Sequence, residues 1–528
     1  MTTAPPEEAG PQYFTHRQIV IILLGVMAGM LLFALDQGIV GTALPRIVSE
    51  LGGLDRLSWV VTAYLLTSTA STPLWGKVSD LYGRRLTFQV AIGIFLVGSA
   101  LSGLSQNMGE LIAFRALQGA GGGGLFAIAL SIIGDVIPPR ERGRYLGYFG
   151  AVFGVSSVAG PLLGGWLTDG PGWRWIFYIN LPVGLAALVV TSMVLKMPVV
   201  RRQHRIDYAG AAVIVAAVTC LLLYLDWRGN QYGWTEAGSL ALLAGFAVLT
   251  VAFVVIELRN AEPIIPMRLF RNPVFAVGNL YGFLAGVAMF GGIIFLPVYL
   301  QAVQGMSPTA SGLALLPAII GIFSISIAAG RMITRTGRYR IYPIVGAVVL
   351  VVSLLLLSTL RVDTPFWKVA VYEFLFGAGL GFTMQTITTA IQNAVEFRDM
   401  GAATGSITFF RQMGGSIGAA LFGAVLSSRL SHYLSEQLAQ AGVRAGGTAR
   451  VDANDVQAIQ RLAEPIKSVV LSAFSNALDD VFLVGVPFIV VAFVVALFLR
   501  EVPLRTGPGP GGPVAAQGEI QGDPVGTL

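Results

Sequence analysis

Apolar residues along this chain fall in blocks of roughly 20 residues, separated by short polar segments. A block of this length crosses the hydrocarbon core of a bilayer as one α-helix. The pattern therefore predicts an all-α polytopic membrane protein with fourteen transmembrane helices. The helices are expected at residues 19–41, 58–76, 87–105, 110–134, 145–167, 173–195, 209–226, 238–257, 274–300, 311–330, 342–360, 367–393, 402–427 and 479–499.

An internal repeat relates the two ends of the chain. The segment GKVSDLYGRR, which begins at Gly76, recurs as GRMITRTGRYR from Gly330, with glycines seven residues apart in both copies. At an offset of 258 residues, Arg115 corresponds to Glu373. Repeated halves are typical of secondary transporters, whose substrate site lies near the bilayer midplane between them. The seventh and eighth predicted helices have no counterpart, so we expect an insertion that is peripheral to the substrate path.

The distribution of charge sets the orientation and the regions of the chain. Lys and Arg are concentrated in the segments on the side of the N-terminus, which by the positive-inside rule places both termini in the cytoplasm. We therefore expect a multi-pass protein of the cell (inner) membrane. The regions are a cytoplasmic tail at 1–18, a six-helix bundle at 19–195, a linker with the two inserted helices at 196–273, a second six-helix bundle at 274–499 with a long extracytoplasmic loop at 428–478, and a disordered cytoplasmic tail at 500–528.

Composition excludes several other classes of protein. Of the 528 residues, 55% are hydrophobic and 12% charged, whereas soluble domains carry about 25% charged residues. The net charge of +6 is spread over the loops, so nucleic-acid binding is not expected. Cys220 is the single cysteine and offers no disulfide, metal or redox site. Because a nucleotide-binding loop and clustered His, Cys or acidic residues are missing from the sequence, we expect neither an ATP-driven pump nor an enzyme.

Five spaced motifs give the chain a resemblance to a known family. They are GKVSDLYGRR from Gly76, RALQGAG from Arg115, GVSSVAGPLLGG from Gly154, WRWIFYINLPVG from Trp173 and RQMGGSIG from Arg411. Over about 19–500 the chain resembles the major facilitator superfamily, and in detail its fourteen-helix drug:proton antiporter branch, the EmrB/QacA type. The resemblance implies the major facilitator fold, with two six-helix bundles and two inserted helices. It also implies alternating access driven by the proton gradient, with no cofactor or metal.

Two acidic residues inside predicted helices are candidates for proton coupling. Asp36 lies in the first helix, where a charged carboxylate costs roughly 2.5–3.5 kcal/mol on insertion scales. Acids in such positions usually mark a proton or substrate path. We therefore predict that Asp36 takes up and releases protons during transport. The alternative is a structural carboxyl that hydrogen-bonds to a neighbouring helix, and Glu373 is the second candidate for coupling.

Further residues are expected around the substrate cavity. Arg115 and Glu373 would face the cavity at pseudo-symmetric positions, and Arg411 lies near Glu373 in depth. A Glu373–Arg411 ion pair would act either as a structural strut or as a proton-linked switch, and the sequence does not choose between the two. The substrate and cavity candidates are Arg115, Gln118, Arg411, Phe33 and Phe376.

The first copy of the repeated loop motif suits a conformational gate. A short acid, turn glycines and paired cations favour a breakable salt bridge between the cytoplasmic ends of the bundles. The second copy has Thr334 in place of Asp80, so the gate should be stronger on the first half. The alternative is that these charges only set the topology. The gate candidates are Gly76, Asp80, Gly83, Arg84, Arg85, Asp135 and Arg142.

The fifth predicted helix carries a Gly-Pro motif. Pro161 frees a backbone carbonyl and permits a bend, and the glycines around it allow close helix contact. The resemblance identifies this segment as the antiporter motif, which favours export over uptake, whereas ordinary helix packing is the alternative. Its residues are Gly154, Gly160, Pro161, Gly164 and Gly165.

The sequence as a whole favours a proton-coupled secondary active exporter of small amphiphilic compounds. Its expected partners are the lipid bilayer, a small-molecule substrate and protons, and we expect a monomer. An exporter of one endogenous metabolite and an uptake symporter would share nearly all of these motifs. A transport-inactive membrane sensor on the same fold is the remaining alternative, and it would tolerate loss of Asp36.

Overall fold

The computed structural model is mainly helical over the described residues and contains no strand there. The described residues are 16–51, 57–137, 170–195, 207–227, 236–260, 263–306, 308–396, 399–440 and 466–504, with 152, 155, 156, 159, 160 and 162–168.

The helices form two halves and an inserted pair. The first half contains α1 (His16–Leu51), α2 (Leu57–Tyr82), α3 (Arg84–Leu104), α4 (Met108–Val136), the short α5 (Trp175–Tyr178) and α6 (Asn180–Val194). The inserted pair is α7 (Tyr208–Trp227) and α8 (Ala237–Arg259). The second half contains α9 (Pro273–Val298), α10 (Pro308–Ala314), α11 (Leu316–Thr336), α12 (Ile341–Leu357), α13 (Phe366–Ala394), α14 (Met400–Gln440) and α15 (Ile466–Leu497).

The helices have the length and composition of membrane spans. Among the described residues, ten helices are long and apolar enough to cross a bilayer, and α7 and α12 are apolar but shorter. The span predicted at 145–167 lies mostly outside the described residues, although 162–168 are helical. The all-α, multi-helix character is therefore confirmed, and the count of fourteen stays a prediction.

Several helices differ from the sequence prediction in their ends or in their continuity. The helices predicted at 402–427 and 479–499 extend further, as α14 to Gln440 and as α15 from Ile466. Both extensions run into the predicted loop at 428–478, because polar residues outside a bilayer can continue a helix. The helix predicted at 173–195 is divided into α5 and α6, and that at 311–330 into α10 and α11. The break between α10 and α11 lies two residues before Pro317, which has no backbone N–H to donate a helical hydrogen bond.

Glycines allow the helices of each half to touch along their backbones. On α4, a Cβ atom at Gly119 or Gly123 would overlap the backbone of α2, and one at Gly121 would overlap α3. In the second half, Gly414 of α14 lies in the same way against Phe283 of α9. Small residues permit such close approach where no hydrophobic force acts between helices. Each half is therefore a tightly packed unit.

The two halves meet along α14, which contacts α2 and α4. Thr72 on α2 donates a hydrogen bond to Gln412 at 3.4 Å, and Gln392 on α13 donates one to the Leu130 carbonyl at 3.3 Å. The inserted helix α7 packs against both α2 and α14, beside this contact. The inserted pair therefore lies next to helices from both halves. The cluster that joins them includes Leu66, Ala70, Ile214, Val218, Phe253, Ile264, Ile265 and Phe409.

Candidate functional site

One end of α2 lies directly on the beginning of α14. A Cβ atom on Gly76 would stand 2.6 Å from the Gly401 carbonyl oxygen and 3.3 Å from the Gly405 Cα atom. Because both neighbours are backbone atoms, only glycine fits between the two helices at this point. We call this contact, together with the ion pairs around Asp80, the gate contact.

The Asp80 carboxylate joins the two halves. Its Oδ1 accepts a hydrogen bond from the Gly401 N–H at 3.0 Å, and its Oδ2 accepts one from the Ala402 N–H at 2.9 Å. These N–H groups belong to the first turn of α14, where backbone donors lack helical partners and the helix dipole favours an anion. The carboxylate on one half is therefore bound by the helix terminus of the other.

Arg84 and Asp135 complete the gate contact on the side of the first half. Arg84 lies 2.6 Å from Asp80 and 2.7 Å from Asp135, and all three side chains are at least nine-tenths buried. Arg84 also donates to the Ser79 hydroxyl. The guanidinium thus holds two acids that would otherwise repel each other.

The remaining gate candidates have other positions. Gly83 has a φ of 88°, a left-handed conformation that suits glycine, and it starts α3. Arg85 donates to the Ser192 carbonyl at 2.7 Å and so contacts the end of α6 within its own half, which differs from the predicted bridge between bundles. Thr334, the counterpart of Asp80, donates to the Gly330 carbonyl of its own helix. Arg142 lies outside the described residues.

Asp36 is the centre of a buried polar cluster in the first half. Its Oδ2 accepts a hydrogen bond from Arg115 at 2.5 Å, and its Oδ1 accepts from Gln118 at 2.8 Å and from Asn180 at 3.3 Å. Asp36 and Gln118 are fully inaccessible to solvent, and Arg115 is 1% exposed. The carboxylate therefore has one cation and two amide donors, supplied by α4 and α6.

Arg115 is fixed inside the first half, although a position facing the cavity was predicted. Its Nε donates to the Val60 carbonyl at 3.2 Å, and its guanidinium lies 4.2 Å from the centre of the Tyr64 ring. Phe33 stacks between Tyr64 and Phe126, at 6.1 Å and 6.0 Å between ring centres. Phe33 thus lies beside the cluster. The contributions of Asn180 and Tyr64 were missed by the sequence analysis.

The WRWIFYINLPVG motif contacts α1 at two levels. Besides the hydrogen bond from Asn180 to Asp36, the Trp173 indole N–H donates to the Glu50 carboxylate at 2.9 Å. That hydrogen bond lowers the pKa of Glu50, with a further contribution from Arg46 and Arg174. The motif therefore keeps α1 in place along the length between Asp36 and Glu50.

Glu373 is buried without any hydrogen-bond partner. It is fully inaccessible to solvent, and neither carboxyl oxygen has a donor. The Glu373–Arg411 ion pair that the sequence left open is absent. The Arg411 guanidinium lies 5.3 Å from the centre of the Phe126 ring on α4, so it faces the first half. Phe376 packs over Gly292 in the core of the second half, which differs from its predicted place in a cavity.

The described part of the antiporter motif lies against α1. A Cβ atom on Gly160 would stand 3.1 Å from the backbone of Gly38, two residues after Asp36. Gly164 is buried, and a Cβ atom on Gly165 would meet nothing within 4 Å. Close helix contact is thus evident at Gly160. The positions of Gly154 and Pro161 lie outside the described residues.

Comparison with known proteins decides the family. The family model of the Major Facilitator Superfamily matches residues 26–419. The chain belongs to the major facilitator superfamily. Within this family, the chain is 37% identical over 508 residues to the multidrug transporter protein MdtP of Bacillus subtilis, which covers 92% of this chain and 93% of the relative. It is 36% identical over 491 residues to multidrug resistance protein 3 of the same organism, covering 92% of this chain and 96% of the relative.

A solved structure has the same fold. The human organic anion transporter MFSD10 matches with a TM-score of 0.58 and 16% identity, over 89% of this chain and 99% of that chain. The predicted resemblance and the major facilitator fold are thereby confirmed. As a member of this family, the protein is a multi-pass transporter of small molecules in a lipid bilayer and not an enzyme. Among the described residues, no group of three or more His, Cys, Asp or Glu could hold a metal ion.

Proposed function

We propose that this transporter is a proton-coupled exporter, an antiporter, of small amphiphilic compounds. In this proposal it acts as a monomer in the cell membrane with both termini in the cytoplasm, and the gate contact closes the cytoplasmic side. The names of the two bacterial relatives, a multidrug transporter and a multidrug resistance protein, support export of such compounds. The proton gradient is its source of energy, and it needs no cofactor.

The observation that carries the proposal is the buried pair of Asp36 and Arg115, at 2.5 Å, inside two helices that are long and apolar enough to span the membrane. A buried ion pair gives little net stability, because desolvation of the charges offsets their attraction. Breaking such a pair by neutralising one partner changes the local free energy by several kcal/mol. A proton that binds to Asp36 would therefore release Arg115, which contacts Tyr64 and Val60 on α2.

Glu373 supports the proposal from the second half. An ionised carboxylate without a partner in a buried site is costly, so its neutral, protonated form is favoured in this conformation. Asp36 instead accepts hydrogen bonds from three donors. The two halves thus contain one buried carboxyl group that is bound by a cation and two amides, and one that has no partner.

The test measures proton flux driven by a drug gradient in proteoliposomes, with ethidium as the amphiphilic probe. A gradient of one pH unit supplies about 1.4 kcal/mol per proton. We expect Asp36→Asn to insert and fold but to lose uphill, proton-linked transport, because the variant cannot titrate. Glu373→Gln should lower the flux less than Asp36→Asn does. Asp363→Asn, at an exposed loop position, is the matched control and should retain wild-type flux.

Three results would change the proposal. Wild-type flux from Asp36→Asn, with loss of flux in Glu373→Gln, would move the coupling to the second half. Wild-type flux from both variants would exclude both residues as coupling sites. Ethidium movement in the same direction as the protons would identify a symporter.

A further inference from the structure

Two carboxyl groups of the inserted pair meet beside the gate contact. Asp207 immediately precedes α7, and Glu257 lies in the last turn of α8. They are 6% and 2% exposed, so both are more than nine-tenths buried. Neither residue belongs to the buried cluster around Asp36 or to the ion pairs of the gate contact.

Each carboxyl group has one oxygen that is bonded and one that is not. Asp207 Oδ1 accepts from the Gly210 N–H at 2.8 Å, and Glu257 Oε2 accepts from the Ile265 N–H at 3.0 Å. Asp207 Oδ2 and Glu257 Oε1 are buried without a donor. Both face the same point: the position of a Cβ atom on Gly210 would be within 2.8 Å of Glu257 Oε1 and closer still to Asp207 Oδ2. The two acceptors without donors therefore lie at most about 5.2 Å apart.

One proton would satisfy both of these oxygens. A protonated carboxyl group has a single O–H donor, which would bond to the oxygen of the other carboxyl group. Two ionised carboxylates in this position would repel each other, and one shared proton would remove the repulsion. Among the described residues, Lys77 on α2 acts on Glu257 electrostatically, and Arg259 follows Glu257 by two residues on α8. Neither cation supplies a donor to the two unbonded oxygens.

We propose that Asp207 and Glu257 form a second proton-binding site, outside the substrate path, in which one shared proton holds the inserted helices together and stabilises the closed gate contact. The inference rests on the proposed opening of that contact during transport. When the proton leaves, repulsion between the two carboxylates separates the start of α7 from the end of α8.

A continuous series of contacts connects this site to the gate. Glu257 holds the segment at Ile265, and three residues later Arg268 binds both oxygens of Asp399 at 2.8 Å and 2.9 Å. Asp399 immediately precedes α14, whose first N–H groups bind Asp80. A displacement of the end of α8 therefore reaches the helix terminus on which the gate contact depends.

The sign of the pH dependence follows from the proton count. The closed state binds one more proton than the open state, so raising the pH favours opening. For one linked proton, the open-to-closed ratio rises by up to about tenfold per pH unit. The measurement is the distance between spin labels at Tyr82→Cys and Met332→Cys, on α2 and α11 at the gate end. Both positions are about half exposed, at 48% and 50%, and Cys220→Ser removes the only natural cysteine.

The experiment uses the full-length protein in lipid nanodiscs without substrate or proton gradient, so its outcome does not depend on the flux test of Asp36. We expect the pH dependence of the open fraction to be weaker in Glu257→Gln and in Asp207→Asn than in the wild-type protein, because an amide provides a permanent donor. The dependence that remains comes from the other carboxyl groups linked to opening. Glu236→Gln, at the exposed opposite end of α8, is the matched control and should keep the wild-type dependence.

Two results would overturn the proposal. The first is an open fraction that does not vary with pH in the wild-type protein, which needs no variant to fold. The second is a wild-type pH dependence in either Glu257→Gln or Asp207→Asn, since each variant removes one of the two titrating groups. A loss of pH dependence in Glu236→Gln would also contradict it, because the effect would then not depend on the shared site.

Discussion

Replacing Gly76 with alanine should open the gate contact without unfolding either half. The new methyl group would lie 2.6 Å from the Gly401 carbonyl oxygen, closer than real Cβ contacts. Its neighbours are backbone atoms of α14, so no side chain can rotate away to make room. The strain exists only in the closed conformation, because α2 and α14 belong to different halves.

The size of the effect follows from the cost of overpacking. Inserting a methyl group into a tightly packed contact typically costs about 1–3 kcal/mol. At about 1.4 kcal/mol per factor of ten, this raises the open-to-closed ratio roughly 5- to 150-fold. Since the strain is relieved on opening, the thermal unfolding of each half should change little.

The assay is the distance between labels on Tyr82→Cys and Met332→Cys at a fixed pH. The matched control is Gly93→Ala on α3, where a Cβ atom would meet nothing within 4 Å. We expect a larger population at long distance in Gly76→Ala and the wild-type distribution in Gly93→Ala. A wild-type distribution in Gly76→Ala would refute the reasoning, as would an equal shift in both variants.

Two further predictions concern the buried charges. Asp80→Asn should raise the open-to-closed ratio by up to about thirtyfold in the same distance measurement, since a charge at a partly buried helix terminus contributes up to about 2 kcal/mol. An unchanged ratio would mean that Asp80 does not stabilise the closed gate contact and serves only to set the membrane topology. Arg115→Met should lower the free energy of unfolding in detergent by about 3–5 kcal/mol, because it leaves Asp36 buried and unpaired. The double variant Asp36→Asn/Arg115→Met should regain most of this loss, and equal losses in the single and double variants would contradict the ion-pair assignment.

The fold was largely predictable because the hydrocarbon thickness fixes the length of each apolar block. The length of an apolar block says nothing about the chain beyond the bilayer, so the sequence analysis ended each predicted helix near the first polar residues. The structure continues α14 to Gln440 and begins α15 at Ile466. Polar residues there are compatible with a helix in water, and hydropathy alone carries no information about that continuation.

The ion pairs show what the depth of a residue in the membrane, taken from its predicted span, can and cannot predict. Asp36 and Arg115 are each five residues from the outer end of their predicted spans, 19–41 and 110–134, so their pairing was available from depth alone. The same argument allowed a Glu373–Arg411 pair that does not form. Depth gives the height of a residue in the membrane but not the direction in which its side chain faces around the helix. That direction is set by packing, which places Arg411 over Phe126.

The length of α14 has a mechanical consequence. Its 41 residues span about 60 Å at 1.5 Å per residue, about twice the thickness of the hydrocarbon core. Its beginning binds Asp80, and far along the same helix Arg429 and Tyr433 contact Asp480 on α15. Because α14 is one continuous helix, a tilt of α14 at the gate contact also displaces its other end, beyond the opposite face of the membrane. An antibody fragment that binds this distal end of α14 would restrict its tilt, and would therefore slow the transport cycle without entering the substrate path.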